Sequence, residues 1–246
     1  MKVSISYPPL ESNKGVPLLG QNRQFQWFTE PTYIYPMVPA YAATLLRANG
    51  FDVMWDDAIA EGLSYSRWLE GIRGARPDVI AIETKTPVVK MHWAIIDDIK
   101  RMSWEGKPPK VVLMGDHVTA LPEETMLKSK ADFVITGGDY DFLLLNICGY
   151  LRGKSEVRSV RLEPGIWHRD NGVVKNTGAF VLTHDLDQLP FIDRDLTRWR
   201  LYSEKNGNYK HLPGTYTMAA RDCWWGRCSF CSWTTIFPGK DYRARS

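Results

Sequence analysis

Apolar and polar positions along the chain alternate in a pattern that repeats. Residues 2–7, Lys-Val-Ser-Ile-Ser-Tyr, form a short strand pattern stopped by Pro8-Pro9-Leu10, and a polar segment rich in Gly, Gln and Asn runs on to about Thr32. A helical pattern covers 39–49 and ends at Gly50, the residue type that closes helices in a left-handed conformation. The alternation then recurs: a strand at 51–55, a helix at 64–74 with Trp68, Leu69 and Ile72 on one face, and a buried strand at 78–83. A helix at 89–102, a strand at 110–114, a short helix from Pro122, a strand at 132–135 and a helix at 140–151 complete the series. Strands that are apolar throughout, separated by amphipathic helices, are what a parallel sheet covered on both faces requires. Residues 1–152 therefore predict an α/β domain with a doubly wound, parallel, five-stranded sheet.

From Gly153 the pattern changes. Residues 165–175 read as a β-hairpin with Asn171-Gly172 at its turn, and 189–195 as connecting polypeptide. A last strand at 215–220 delivers the chain into Arg221-Asp222-Cys223-Trp224-Trp225-Gly226-Arg227-Cys228-Ser229-Phe230-Cys231. No internal repeat or low-complexity segment interrupts this order.

In a parallel sheet ligands bind beyond the carboxyl ends of the strands. Those ends are Pro8-Pro9-Leu10, Asp56-Asp57, Glu83-Thr84-Lys85-Thr86, Gly115-Asp116-His117-Val118-Thr119 and Thr136-Gly137-Gly138-Asp139. The last two are the most ligand-like, because Gly and small polar residues let backbone donors approach a ligand. They also fit ordinary strand-to-helix turns.

Composition narrows the classes. With 44% hydrophobic, 24% charged and 12% aromatic residues in 246, disorder, collagen-like repetition and a disulfide scaffold are excluded. A formal charge of +3 with pI near 8.6, its Lys and Arg scattered among acidic residues, gives no nucleic-acid footprint. No apolar run approaches the roughly 20 residues of a spanning helix. The N-terminus lacks the shape of a signal peptide, so the expected location is cytoplasmic.

Of four cysteines, Cys148 sits in an apolar run and reads as a buried small hydrophobe, while Cys223, Cys228 and Cys231 crowd together. In an unexported chain such crowding points to metal or redox chemistry before disulfides. Three thiolates on a loop after a strand can converge on one centre, since Gly226 and Ser229 let the loop fold. Structural zinc wants a fourth ligand, for which only His211 stands upstream, and the plant-type two-iron cluster with similar spacing needs a fourth cysteine. A four-iron cluster with one open iron, zinc, and unligated thiols remain the alternatives.

Taken together the motifs resemble the N-terminal part of cobalamin-binding-domain radical S-adenosylmethionine (SAM) enzymes. The resemblance rests on Pro8-Pro9-Leu10, on Gly115-Asp116-His117-Val118-Thr119-Ala120-Leu121-Pro122-Glu123-Glu124, on Gly137-Gly138-Asp139, on Leu189-Pro190-Phe191-Ile192-Asp193-Arg194-Asp195 and on Cys228-Ser229-Phe230-Cys231, in that order over nearly the whole chain. One departure is Trp224-Trp225-Gly226-Arg227, four residues between the first two cysteines where the usual motif has three. The resemblance implies a Rossmann-like cobalamin-binding domain at 1–152, a linker with a hairpin at 153–213, and the beginning of a radical SAM partial barrel at 214–246. It implies a [4Fe-4S] cluster on Cys223, Cys228 and Cys231, with SAM chelating the fourth iron and Phe230 near its adenine. An electron would then cleave SAM to methionine and a 5′-deoxyadenosyl radical. Cobalamin would lie on Pro9, Leu10, Thr84, Thr86, Gly115, Asp116, His117, Val118, Thr119, Gly137, Gly138 and Asp139. The implied reaction is radical methylation, or a related radical transformation, of a substrate the sequence does not name, with electrons from a flavodoxin- or ferredoxin-like donor.

His117 is a possible cobalt ligand, but the Asp-x-His-x-x-Gly motif that supplies one in other cobalamin proteins is missing. A role bordering the corrin fits better. His92, His168, His184 and His211 read as surface or hairpin residues. Trp224, Trp225 and Trp233 read either as core packing or as a dry wall around a cluster. The rival to an enzyme is a cobalamin-binding or sensing module with structural zinc at the cysteines. Length bears on this: an α/β barrel needs roughly 200 residues, far more than 214–246 provide, so the expectation is a fragment that binds cobalamin without catalysing alone.

Overall fold

The computed structural model describes residues 1–18, 25–153, 161–206, 209–231, 236 and 242–246. Eleven strands are present among them: β1 Lys2–Tyr7, β2 Val16–Leu18, β3 Gln26–Phe28, β4 Asp52–Asp57, β5 Val79–Glu83, β6 Lys110–Met114, β7 Phe133–Ile135, β8 Ile166–Asp170, β9 Val173–Asn176, β10 Ala220–Arg221 and β11 Arg243–Ala244. The α-helices are α1 Met37–Ala48, α2 Ala58–Glu61, α3 Tyr65–Ala75, α4 Val89–Arg101, α5 Asp116–Ala120, α6 Pro122–Lys128 and α7 Tyr140–Gly153.

The main sheet has the order β4-β1-β5-β6-β7-β8-β9, and its first five strands are parallel, as the alternation predicted. Val3, Ile5 and Tyr7 of β1 are buried on one face and Ser4 and Ser6 on the other, so helices cover both sides. On the helices the inward positions recur at helical spacing: Trp68 and Ile72 in α3, and Val89, His92, Ile95, Ile96 and Ile99 in α4. The Ser64 hydroxyl caps α3 by accepting from Arg67 N–H, and the Asp57 carboxylate caps α2 by accepting from Ala60 N–H.

The hairpin expected in a linker instead extends the sheet to seven strands. β8 pairs antiparallel with β7, Val134 opposite Trp167 and Ile135 opposite Ile166, and Ile166 is fully buried. A three-residue edge strand would otherwise leave its ladder groups unpaired. Asn171 and Gly172 both adopt positive φ, 50° and 84°, the conformation that a two-residue hairpin turn demands. The strand expected at 215–220 shrinks to β10, which pairs with β11. Its upstream groups are taken by Arg194, which donates to Thr215 Oγ1 at 2.6 Å and to the Tyr216 carbonyl at 2.8 Å. The polar N-terminal segment contains the antiparallel ribbon β2–β3; residues 19–24 within it lie outside the described residues. No helix among the described residues is long and apolar enough to cross a membrane.

A buried polar network joins the segment after the hairpin to the sheet. Tyr202 OH donates to Asp57 Oδ2 at 2.6 Å and accepts from Trp55 Nε1 at 3.0 Å, while Tyr7 OH donates to Glu83 at 2.6 Å. Burial raises the Asp57 pKa from 3.8 to about 6, outweighing the opposing hydrogen bonds from Tyr202 and Ala60. A raised carboxyl pKa means that the folded state keeps its proton longer than the unfolded one, so stability falls as pH rises from 3.8 to about 6. Asp57→Asn is expected to remove this falling contribution, making the slope of Tm against pH more positive than that of the wild type across that window, and to change Tm little at its acid end. A variant that keeps the wild-type slope in thermal unfolding would contradict this assignment.

Candidate functional site

The loops after β5, β6 and β7 meet at one edge of the sheet. Thr84 N–H donates to the Met114 carbonyl at 2.8 Å, carrying the β5–β6 ladder one residue beyond the strands. Gly115 follows with φ +125°, and a Cβ there would lie 2.2 Å from the Thr84 carbonyl oxygen, so only glycine permits this approach. The α5 turn then presents Asp116, His117, Val118 and Thr119. Thr119 Oγ1 donates to the Gly115 carbonyl at 2.8 Å and accepts from Gly137 N–H at 3.2 Å, linking the fourth parallel strand's loop to the fifth's. His117 Nδ1 lies 3.2 Å from Thr86 Oγ1, closing the link back to β5.

Of the residues expected to hold cobalamin, the structure thus brings Thr84, Thr86, Gly115, Asp116, His117, Thr119 and Gly137 together. Val118 is there too, but its side chain is fully buried in the core. Gly138 lies half-buried beside Gly137. Pro9 and Leu10 are buried at the end of β1, with Leu10 packed into the main core.

The sequence reading missed two groups here. Lys85 is buried, its Nζ 3.3 Å from Asp116 and 3.8 Å from Glu83; a lysine two residues past the end of a buried strand was the available signal. His92 is not at the surface: it is fully buried, with Nδ1 2.7 Å from Thr84 Oγ1, and burial pushes its pKa down to about 3. Its helical spacing from Ile95, Ile96 and Ile99 marked the inward face. Burial likewise lowers the His117 pKa against the pull of Glu124, which favours the neutral imidazole. The Nε2 atoms of both histidines are buried without a hydrogen-bond partner. An orphaned imidazole nitrogen at the loop cluster is a group that a bound corrin with its amide side chains would satisfy, so the residues present fit cobalamin.

Asp139 has a different set of partners. Its carboxylate, 1% exposed, accepts from His184 Nδ1 at 2.9 Å, from Arg243 Nη1 and Nη2 at 2.8 Å each, and from Arg221 Nη1 at 3.3 Å. Burial alone would raise its pKa; His184, Arg243 and Arg221 override that and hold it well below the usual carboxylate range. His184, read as a surface or hairpin residue, is instead clamped between Asp139 and Glu163, each at 2.9 Å, and stacked on Phe142. His168 does lie in the hairpin, and His211 is exposed.

Cys223, Cys228 and Cys231 are each half-buried. Gly226, with φ +57°, donates its N–H toward Cys223 Sγ at 3.5 Å, and Cys231 N–H donates to the Cys228 carbonyl at 3.2 Å. Among the described residues no three His, Cys, Asp or Glu side chains gather closely enough to hold a metal ion. The donor set fits an iron–sulfur cluster by its chemistry, three thiols on one loop, rather than by its present spacing. Cys148 is fully buried, as expected, and burial pushes its thiol up to about 12. Phe230 is 90% exposed, and Trp224 and Trp225 are 70% and 49% exposed, which overturns core packing for these tryptophans. Trp233 lies outside the described residues.

The fold, with loops converging at the carboxyl edge and a cysteine segment beside them, is similar to that of solved cobalamin-dependent radical SAM enzymes. The chain matches OxsB, a "cobalamin-dependent S-adenosylmethionine radical enzyme", solved with aqua-cobalamin bound, at TM-score 0.69 and 17% identity over 100% of its own length and 30% of that chain. It matches the radical SAM methyltransferase TsrM of Kitasatospora setae, solved with cobalamin and a [4Fe-4S] cluster, at TM-score 0.61 and 17% identity over 100% of itself and 43% of that chain. In sequence it is 26% identical over 211 residues to an uncharacterized methyltransferase of Pyrococcus horikoshii, covering 86% of this chain and 43% of that protein. It is also 26% identical over 214 residues to the anaerobic magnesium-protoporphyrin IX monomethyl ester cyclase of Cereibacter sphaeroides, covering 85% of this chain and 33% of that protein. The chain spans less than half the length of either relative. No protein-family model matches it. The resemblance and the fold class expected from the sequence are therefore borne out.

Replacing Gly115 by Ala is expected to destabilise the chain by at least about 1–3 kcal/mol from backbone strain alone, with the Thr84 clash added. Denaturant unfolding checks it, and wild-type stability in the variant would refute the close approach of the two loops.

Proposed function

We propose that this chain is the cofactor-loading part of a cobalamin-dependent radical SAM enzyme acting, as a methyltransferase or in a related radical transformation, on a substrate yet to be named. The observation that carries this reading is the convergence of the Thr84, Gly115 and Gly137 loops at the carboxyl edge, around an orphaned His117 nitrogen, with the cysteine segment anchored next to them through Asp139. Thr84, Thr86, Gly115, Asp116, His117, Val118, Thr119, Gly137 and Gly138 hold cobalamin, while Pro9 and Leu10 support the first loop from below. Cys223, Cys228 and Cys231 hold the [4Fe-4S] cluster, leaving one iron for SAM, with Phe230 beside it. When bound, these cofactors supply one-electron cleavage of SAM and methyl transfer, chemistry that side chains alone do not perform. The chain's own residues bind and orient: neutral His117 offers a hydrogen-bonding nitrogen that does not compete for protons, and the Gly115 and Gly137 turns let backbone groups approach the ligand. The domain boundaries at 152 and 213, the flavodoxin- or ferredoxin-like electron donor and the absence of a nucleic-acid partner belong to the same reading.

Anaerobic reconstitution with iron and sulfide is expected to give a broad visible charge-transfer band that the Cys228→Ala variant loses, and the chain is expected to retain hydroxocobalamin through gel filtration. Stoichiometric zinc with no such band, together with retained corrin, would replace the enzyme by a cobalamin-binding module with structural zinc. Loss of the corrin on the column would remove cobalamin from the reading.

A further inference from the structure

We propose that Asp139, Arg221 and Arg243 form a clamp of positioning residues that couples assembly of the cysteine loop to cobalamin binding at the Gly137-Gly138 loop. The proposal rests on the cofactor reading above and gives Asp139 a role other than ligand contact. Asp139 directly follows Gly138 and immediately precedes α7, and its carbonyl accepts from Leu143 N–H at 3.1 Å. Arg221 and Asp222 directly precede Cys223. Arg221 grips Asp141 with two nitrogens, at 2.9 and 2.5 Å, and reaches Asp139 with one of them. Arg243, in the strand paired with β10, spans Asp139 with Nη1 and Nη2 and holds Asp222 Oδ2 with Nε at 2.9 Å and Nη2 at 2.8 Å. Asp222 itself adopts φ +71°, a left-handed conformation fixed by this grip.

The carboxylates of Asp139 and Asp141 are 1% and 0% exposed, so each depends on its full set of donors. Removing one partner from a buried ion network leaves an uncompensated charge, which makes partial arrangements costly and the complete one strongly preferred. The same guanidinium therefore fixes the residue before Cys223 and the residue after Gly138. A cluster that draws the three cysteines together also holds Asp222 and Arg221 in this arrangement, and through Arg243 and Asp139 it stiffens the Gly137-Gly138 turn that the corrin would meet. Ordering already achieved by the first ligand is not charged again to the second, so the two cofactors bind with positive cooperativity.

Hydroxocobalamin titration of the full chain, with and without reconstituted cluster, tests this. The wild type is expected to bind corrin about tenfold more tightly when the cluster is present, a typical size for coupling between sites. Arg243→Lys keeps the charge but cannot span Asp139 and Asp222 together. Its ratio is expected to fall to about one, whatever the change in cluster-free affinity. A merely structural role would weaken both states and leave the ratio intact. Should Arg243→Lys fail to fold, His184→Gln, which removes one of the four bonds on Asp139, is expected to lower the ratio in a folded protein. Corrin retained by the wild type with no change on cluster assembly, or a wild-type ratio preserved in the folded variant, overturns the clamp alone. Corrin retained in neither state overturns the cofactor reading on which the clamp rests.

Discussion

Parallel pairing of β4, β1, β5, β6 and β7 is the constraint on which the site depends. A parallel ladder places the carboxyl ends of all five strands on one edge, so each connection must leave that edge and return beneath the sheet. Loops far apart in sequence, around Thr84, Gly115 and Gly137, are thereby made neighbours. The 2.2 Å limit at Gly115 is a local consequence: the β5 and β6 loops run so close that a methyl group does not fit between them. The hairpin β8–β9 completes the arrangement by pairing with the short β7, and its approach to Thr136 through Gly165 holds the fifth loop in place, the Gly165 carbonyl accepting from both Thr136 N–H and Thr136 Oγ1.

Charge is sorted along this edge in a way that burial dictates. The two histidines under the loops, His92 and His117, have few compensating partners, and burial lowers their pKa values. Asp139 is as deeply buried yet is kept ionised, because two guanidiniums and an imidazole converge on it. The difference is the number of opposite charges within reach, not the depth. The two histidines thus offer neutral nitrogens at the loops, beside the buried Lys85–Asp116 pair, while ionised Asp139 binds protein to protein.

Much of the fold was legible because its signals are local. Apolar runs such as Val79–Glu83 and Lys110–Met114 and the Asn171-Gly172 turn each specify their structure within a few residues. What was not legible is pairing at a distance. Nothing in Ile166–Asp170 announces that it will extend a parallel sheet antiparallel, since its half-buried pattern fits a free-standing hairpin equally well. The loops at Gly115 and Gly137 were legible as ligand-like from glycine and small polar residues. The Asp139 clamp was not, because its members lie some 45 to 104 positions from the carboxylate they share, and a single Arg or His carries no mark of its partner. His92 is the exception: its spacing from three isoleucines was visible, and the residue type alone made it read as polar surface.

The two halves of the site differ in what holds them. The corrin side rests on a sheet core of fully buried Ile80, Ile82, Val112 and Leu113, each worth on the order of 1.5–3 kcal/mol in transfer from water. Its geometry does not need a ligand to exist. The cysteine side has Trp224, Trp225 and Phe230 turned toward solvent and is fastened through Arg221, Asp222 and Arg243, so its attachment is ionic and its apolar burial slight. A loop of that kind gains most of its order from what it ligates, as small metal-binding segments do. The asymmetry divides the labour: the sheet offers a formed platform, and Asp139 immediately before α7, held by Arg221 and Arg243, together with Asp141 of α7, held by Arg221, ties the cysteine loop to it.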